Sequence, residues 1–102
     1  MPEFVRVGSV SEIPPQRGKA FEVNGRHIAV FHTRDGKFYA IENTCRHKGG
    51  PLAEGELDGH TVFCPWHGWA YDVTTGECLE DSESSVEHFE LKIEGDDIWV
   101  RV

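Results

Sequence analysis

No uninterrupted apolar run in this 102-residue sequence exceeds four residues, Ile28 to Phe31 being one such run, whereas a helix that crosses a bilayer needs about twenty. A spanning helix is thereby excluded. The Met-Pro-Glu opening has no basic-then-apolar leader, and the expectation is a soluble, cytoplasmic protein. Basic side chains are scarce as well: 10 Lys and Arg stand against 18 Asp and Glu, a formal charge of -8. That sign repels phosphate backbones and anionic lipid, so neither nucleic acid nor a membrane surface is an expected partner. The three cysteines are an odd number and cannot all pair within one chain, which favours ligand or packing roles. Repeats, linkers and long amphipathic helical patterns are missing. Gly49-Gly50 is not followed by the spacing of a dinucleotide or phosphate loop, so hydride transfer from NAD(P)H by this chain alone is not expected.

Glycine-centred turns, by contrast, recur: Asn24-Gly25, Asp35-Gly36, Asp58-Gly59, Thr75-Gly76 and Glu94-Gly95-Asp96-Asp97. They separate short β-branched and aromatic runs, the punctuation of an all-β protein. Phe21 and Val23 alternate with polar neighbours, His27 to Thr33 returns after Asn24-Gly25, and Lys37 to Glu42 follows Asp35-Gly36, which makes a three-stranded meander. Phe89, Leu91 and Ile93 form one period-2 stripe and Ile98, Val100 and Val102 another, while Phe4, Val5 and Val7 offer an N-terminal strand. Ser11-Glu12-Ile13 before Pro14-Pro15 allows only a short turn. Residues 43 to 68, rich in Gly, Pro, Cys, His and Trp, lack periodicity and read as loops. The expected fold is all-β: a small antiparallel β-sandwich formed by one domain, 1–102, with a loop-rich subdomain of about 43–70 inserted between strands.

That subdomain carries Cys45-Arg46-His47 and, with sixteen residues intervening after the histidine, Cys64-Pro65-Trp66-His67. Two Cys/His hooks on separate loops can close on one metal centre. Together with Lys48-Gly49-Gly50 after the first hook, Gly68-Trp69 after the second, and Tyr71 and Thr75-Gly76 beyond, the pattern resembles the cluster-binding loops of Rieske 2Fe-2S proteins. The resemblance implies one 2Fe-2S cluster, with Cys45 and Cys64 on one iron and His47 and His67 on the other. Two ferric ions, two sulfides, two thiolates and two neutral imidazoles sum to zero charge, which makes an electron easier to add than to an all-thiolate cluster. The family's potentials accordingly run from about -150 to +300 mV, against about -400 mV for plant-type clusters. The resemblance further implies that Gly49, Gly50 and Gly68 admit backbone N–H groups close to sulfur, and that Trp66 and Trp69 cover the cluster. Rieske proteins of respiratory complexes add a cysteine to each loop, at the positions of Gly50 and Trp66, and place a serine where this chain has Trp69. Without them the potential is expected in the lower part of the range. No proline follows Pro65 to build the family's covering loop, which leaves Glu80 to Ser85 as the segment in that place.

The implied role is that of a one-electron carrier, a component of an oxidoreductase system rather than an enzyme alone. Its redox partners would be a flavin reductase and a terminal oxygenase or, alternatively, the large subunit of an NAD(P)H-dependent nitrite reductase. Between Glu77 and Glu90 lie six acidic residues and no Lys or Arg. Such a segment either steers a basic partner or merely faces solvent. Cys78, with no histidine beside it, reads as a buried small hydrophobe. His27 and His32 fall on opposite faces of a strand, His60 and His88 read as structural or solvated, and Trp99 as packing. A zinc site is the competing reading, since two Cys and two His are a common zinc set, though typical fingers pair C-x2-4-C with H-x3-5-H. The two metals separate by colour and content. Anaerobically purified protein should be red-brown with about two irons and two sulfides per chain, whereas a colourless preparation holding one zinc would reverse the reading.

Overall fold

The computed structural model describes residues 3–45, 49–66 and 68–101. Among them the strands are β1 (Phe4–Ser9), β2 (Arg17–Val23), β3 (Arg26–His32), β4 (Phe38–Glu42), β5 (Glu56–Asp58), β6 (Thr61–Phe63), β7 (Ala70–Asp72), β8 (His88–Glu94) and β9 (Asp97–Arg101). Three single-turn 3₁₀ segments, Val10–Glu12, Leu52–Glu54 and Ser82–Ser84, complete the order, and among the described residues no helix is long and apolar enough to cross a membrane. All strand pairs are antiparallel, in a six-stranded sheet ordered β1-β9-β8-β4-β3-β2 and a three-stranded sheet ordered β5-β6-β7. The larger sheet consists of two halves joined narrowly, where β4 meets β8 only at Ala40 with Phe89 and Ile41 with His88. Its edge strands β1 and β2 face each other across a groove of about 320 Å³ lined by Val5, Val7, Phe21 and Val23.

Local chemistry explains the hairpins. Asn24 and Gly25 both take positive φ, 51° and 80°, as a two-residue turn between the paired Val23 and Arg26 requires. At the start of the chain Ser9 and Glu12 form a reciprocal capping box around Val10–Glu12, which ends where Pro14 approaches. The Asp35-Gly36 turn is tied across to the β5–β6 turn, where His60 lies 3.2 Å from the Asp35 carboxylate and packs edge-on against Tyr39. A hydrogen bond donated by the Thr33 hydroxyl, and His60 after it, hold Asp35 below the usual carboxylate range.

Strand β3 positions everything else. Ile28 and Val30 enter a core with Ile13, Val23, Ala40, Phe89, Ile98 and Val100, inside the curl of the large sheet. The alternate residues Ala29 and Phe31 enter a second core with Ile41, Leu52, Leu57, Val62, Tyr71, Val73 and Val86, between the large sheet and the small one. All four are fully buried, so the uninterrupted apolar run is a strand covered on both faces. Burying such side chains stabilises the fold by roughly 1.5–3 kcal/mol each. The second core also receives Cys45, Cys64 and Cys78, and thereby anchors the two Cys/His loops to the sheet.

Two expectations need correction. Residues 43 to 68 are not loops alone, for β5 and β6 lie within them and contribute Leu57 and Val62 to the core. Strands of three residues are too short to display an alternation. Ile93, expected on one face with Phe89 and Leu91, is 40% exposed although Ile98, paired with it on β9, is fully buried. Trp66, expected as a cover over the cluster, is 59% exposed, as an outward-facing cover would be. Val102, the last residue of the expected terminal stripe, lies outside the described residues.

The junction between the small sheet and its 3₁₀ turn is tight at Gly55. A Cβ there would lie 2.0 Å from the Phe63 carbonyl oxygen, which is backbone and cannot yield cheaply. Gly55→Ala should therefore destabilise the protein by at least the 1–3 kcal/mol typical of overpacking, read as a lower urea midpoint with unchanged m-value.

Candidate metal centre

The two loops that carry the hooks are built alike. Loop 1, residues 45–50, is closed by the bridge between Thr44 and Pro51, and loop 2, residues 64–69, by the pairing of Phe63 with Ala70. In loop 1 the Cys45 N–H donates to the Gly50 carbonyl at 2.9 Å, and the Gly49 N–H donates to the Cys45 carbonyl at 2.7 Å. In loop 2 the Cys64 N–H donates to the Trp69 carbonyl at 2.8 Å, and the Gly68 N–H donates to the Cys64 carbonyl at 2.8 Å. Each loop thus satisfies both backbone groups of its cysteine internally. The fifth residue of each is a glycine with φ of 77° or 74°, the left-handed conformation that lets its N–H turn back to the cysteine carbonyl.

The loops meet at Gly50. A Cβ on that residue would stand 2.8 Å from the Cys64 Sγ and 3.1 Å from the Trp66 ring, so the missing side chain is what allows loop 2 to close on loop 1. The positions at which respiratory Rieske proteins carry their extra cysteines are therefore neighbours here too, and Trp66 packs on Gly50 in place of a bond. Cys45 and Cys64 are 1% and 2% exposed. Tyr71, fully buried on β7, reaches back with its hydroxyl 3.2 Å from the Cys45 Sγ. Trp69 packs against the second core, while Trp66 leaves most of its ring in water. His47 and His67, with Arg46 and Lys48, lie outside the described residues. Among the described residues alone no three His, Cys, Asp or Glu side chains converge as a metal site, half of the expected set falling outside them.

The described half fits an iron–sulfur group. Two soft thiols, withheld from water and framed by loops that approach too closely for a side chain between them, form the donor set that such clusters or zinc select. When Cys45 is a thiolate, Tyr71 is placed to donate its O–H to that sulfur. Cys78 is 2% exposed, its backbone N–H donating to Ser85 Oγ at 3.0 Å, in keeping with packing. His27 points outward beside Glu22, and His32 packs on Phe38 with its Nδ1 2.7 Å from the Ile13 carbonyl, the opposite-face arrangement expected. Residues 79–85 lie along the exit of loop 2, where Leu79 and Glu80 bond to Ala70. Contact over ten residues has no local sequence signal, and Glu80 could not have been singled out by motif. The acidic segment is partly spoken for: Glu87 pairs with Arg26 at 2.6 Å, Glu90 with Arg101 at 3.4 Å, and Asp81 caps the Ser82–Ser84 turn.

Comparison with known proteins agrees with this geometry. The model of the Rieske [2Fe-2S] domain matches residues 3–90. The naphthalene 1,2-dioxygenase system ferredoxin component of Pseudomonas aeruginosa is 30% identical over 99 residues, which cover 96% of this chain and 94% of that one. The ferredoxin of carbazole 1,9a-dioxygenase from Nocardioides aromaticivorans superposes with a TM-score of 0.87 at 29% identity, covering 95% of both chains. A protein described as a nitrite reductase small subunit from Mycobacterium tuberculosis shares the fold with a TM-score of 0.92 at 21% identity, over 100% of this chain and 96% of that one. Human apoptosis-inducing factor 3 is 41% identical over 69 residues, 66% of this chain, which spans only 11% of that protein's length.

Tyr71→Phe removes the hydroxyl beside Cys45 and little else. The variant should fold and bind iron, with a reduction potential below that of the wild type because one hydrogen bond to sulfur is gone. Spectroelectrochemistry on the two proteins checks this, and an unmoved or raised midpoint would count against the contact.

Proposed function

The chain belongs to the Rieske [2Fe-2S] domain family and holds one Rieske-type 2Fe-2S cluster, and from that premise we propose that it works as a one-electron carrier with Cys45, His47, Cys64 and His67 as the four ligands. The cluster supplies a site that takes up and gives back a single electron. The protein's own residues do the remainder. The loop backbones aim the two thiols, Tyr71 stands by one of them, and the second core keeps water from both. The observation that carries the reading is the shared frame of the two loops, each starting at a cysteine whose N–H and C=O are bonded within the loop.

The partners in this reading are a flavin reductase as donor and a terminal oxygenase as acceptor. Support comes from the ferredoxin components of naphthalene and carbazole dioxygenase systems, which match nearly the whole chain at 30% and 29% identity. A fixed small subunit of an NAD(P)H-dependent nitrite reductase is the second reading, favoured by the likeness of fold over 100% of this chain. Isolation in a stable complex with a large siroheme subunit would favour the latter, and turnover of an oxygenase by the separately purified protein the former. A cytoplasmic location goes with either role.

The ligand set is tested one residue at a time. Cys45→Ser, Cys64→Ser, His47→Ala and His67→Ala should each abolish the Rieske-type visible spectrum and lower bound iron, while Cys78→Ser should keep both. An intact spectrum in either histidine variant would remove that histidine from the set.

A further inference from the structure

The segment after β7 returns to loop 2 and fastens onto its exit. Ala70, the first residue beyond the loop, has both outward backbone groups taken by this segment: its carbonyl accepts from the Leu79 N–H at 2.8 Å, and its N–H donates to the Glu80 carboxylate at 2.8 Å. The Cys78 Sγ lies 4.0 Å from the same carboxylate oxygen. Three of the neighbouring acids are used otherwise. Asp81 caps its own 3₁₀ turn, and Glu87 and Glu90 pair with Arg26 and Arg101. No cation among the described residues forms an ion pair with Glu80. Among the described residues its charge thus has no ion-pair partner, and the carboxylate is directed at the backbone of the strand that leaves loop 2.

We propose that Glu80 is a positioning residue for the iron–sulfur site, pinning the exit of loop 2 through Ala70 and setting the reduction equilibrium by holding a negative charge against that loop. The proposal rests on the reading of Cys64 and His67 as ligands carried by loop 2. The two effects have separate causes. A carboxylate accepting a backbone N–H is a charge-assisted bond stronger than a neutral one, so it restrains the loop. A nearby unpaired negative charge favours whichever state of a centre carries less negative charge, which here is the oxidised state. Glutamine at this position keeps an acceptor for the Ala70 N–H and discards the charge. Alanine discards both.

The test uses the holoprotein purified anaerobically, with Glu80→Gln, Glu80→Ala and, as a control for overall charge, Glu83→Gln. Both Glu80 variants should move the reduction equilibrium toward the reduced state by about three- to tenfold, tenfold being about 59 mV for one electron. Glu83→Gln should move it less than twofold. Hydrogen exchange in a peptide spanning residues 68 to 73, followed by mass spectrometry, should be faster in Glu80→Ala and close to wild type in Glu80→Gln. A Glu80→Gln equilibrium within twofold of the wild type, or unaltered exchange in Glu80→Ala, overturns the proposal while a normal wild-type spectrum leaves the ligand reading standing. A wild-type protein without a Rieske-type spectrum refutes the ligand reading and this proposal together.

Discussion

The close approach of two loops through a residue without a side chain is the constraint on which the rest of the structure depends. With the Cys64 Sγ only 2.8 Å from where a Gly50 Cβ would stand, the cysteine of one loop is brought against the backbone of the other. Loops that meet so closely cannot also lend their polar backbone groups to distant partners, and each bonds its own cysteine N–H and C=O internally. The rest of the fold serves to hold the two hairpin necks at a fixed separation. The Thr44–Pro51 bridge continues from β4, and the Phe63–Ala70 pair joins β6 to β7.

That separation is enforced by packing on both faces of one strand. β3 sends Ile28 and Val30 into the curl of the large sheet and Ala29 and Phe31 toward the small sheet, so the two cores cannot shift independently. The site's cysteines belong to the second of these cores, in company with Leu52, Val62 and Tyr71. Close-packed protein interiors transmit displacement rather than absorb it. Ligand geometry and core packing are consequently one problem in this molecule.

How much of this was legible in the sequence follows from the range of each interaction. The Asn24-Gly25 hairpin, the strands on either side of it and the two Cys/His hooks are written in residues near one another, and the structure has the hairpin where the pattern put it and both cysteines buried. β5 and β6 were hidden because three residues carry no period, and Ile93 misled because alternation reports a face but not how fully each position on it is covered. Trp66 packs on Gly50, a residue in a different loop, which no local pattern marks. The Glu80 contact with Ala70 has the same origin: a side chain meeting a backbone ten residues away leaves no mark in composition or spacing.

The internal closure of the two loops also bears on how the chain reaches its shape. The four hydrogen bonds that tie each cysteine's backbone to the last two residues of its loop join residues no more than five apart, and closing so short a segment costs little chain entropy. Each half can thus be shaped early and locally, on the timescale of a hairpin. The long-range steps that remain bring Gly50 against Cys64 and Trp66 and the Tyr71 hydroxyl against Cys45, between two preformed pieces, as the second core condenses. A chain organised in this way concentrates its slow, non-local contacts in the core and keeps its chemically exacting ones short in sequence, which spares the cysteine loops from a long conformational search.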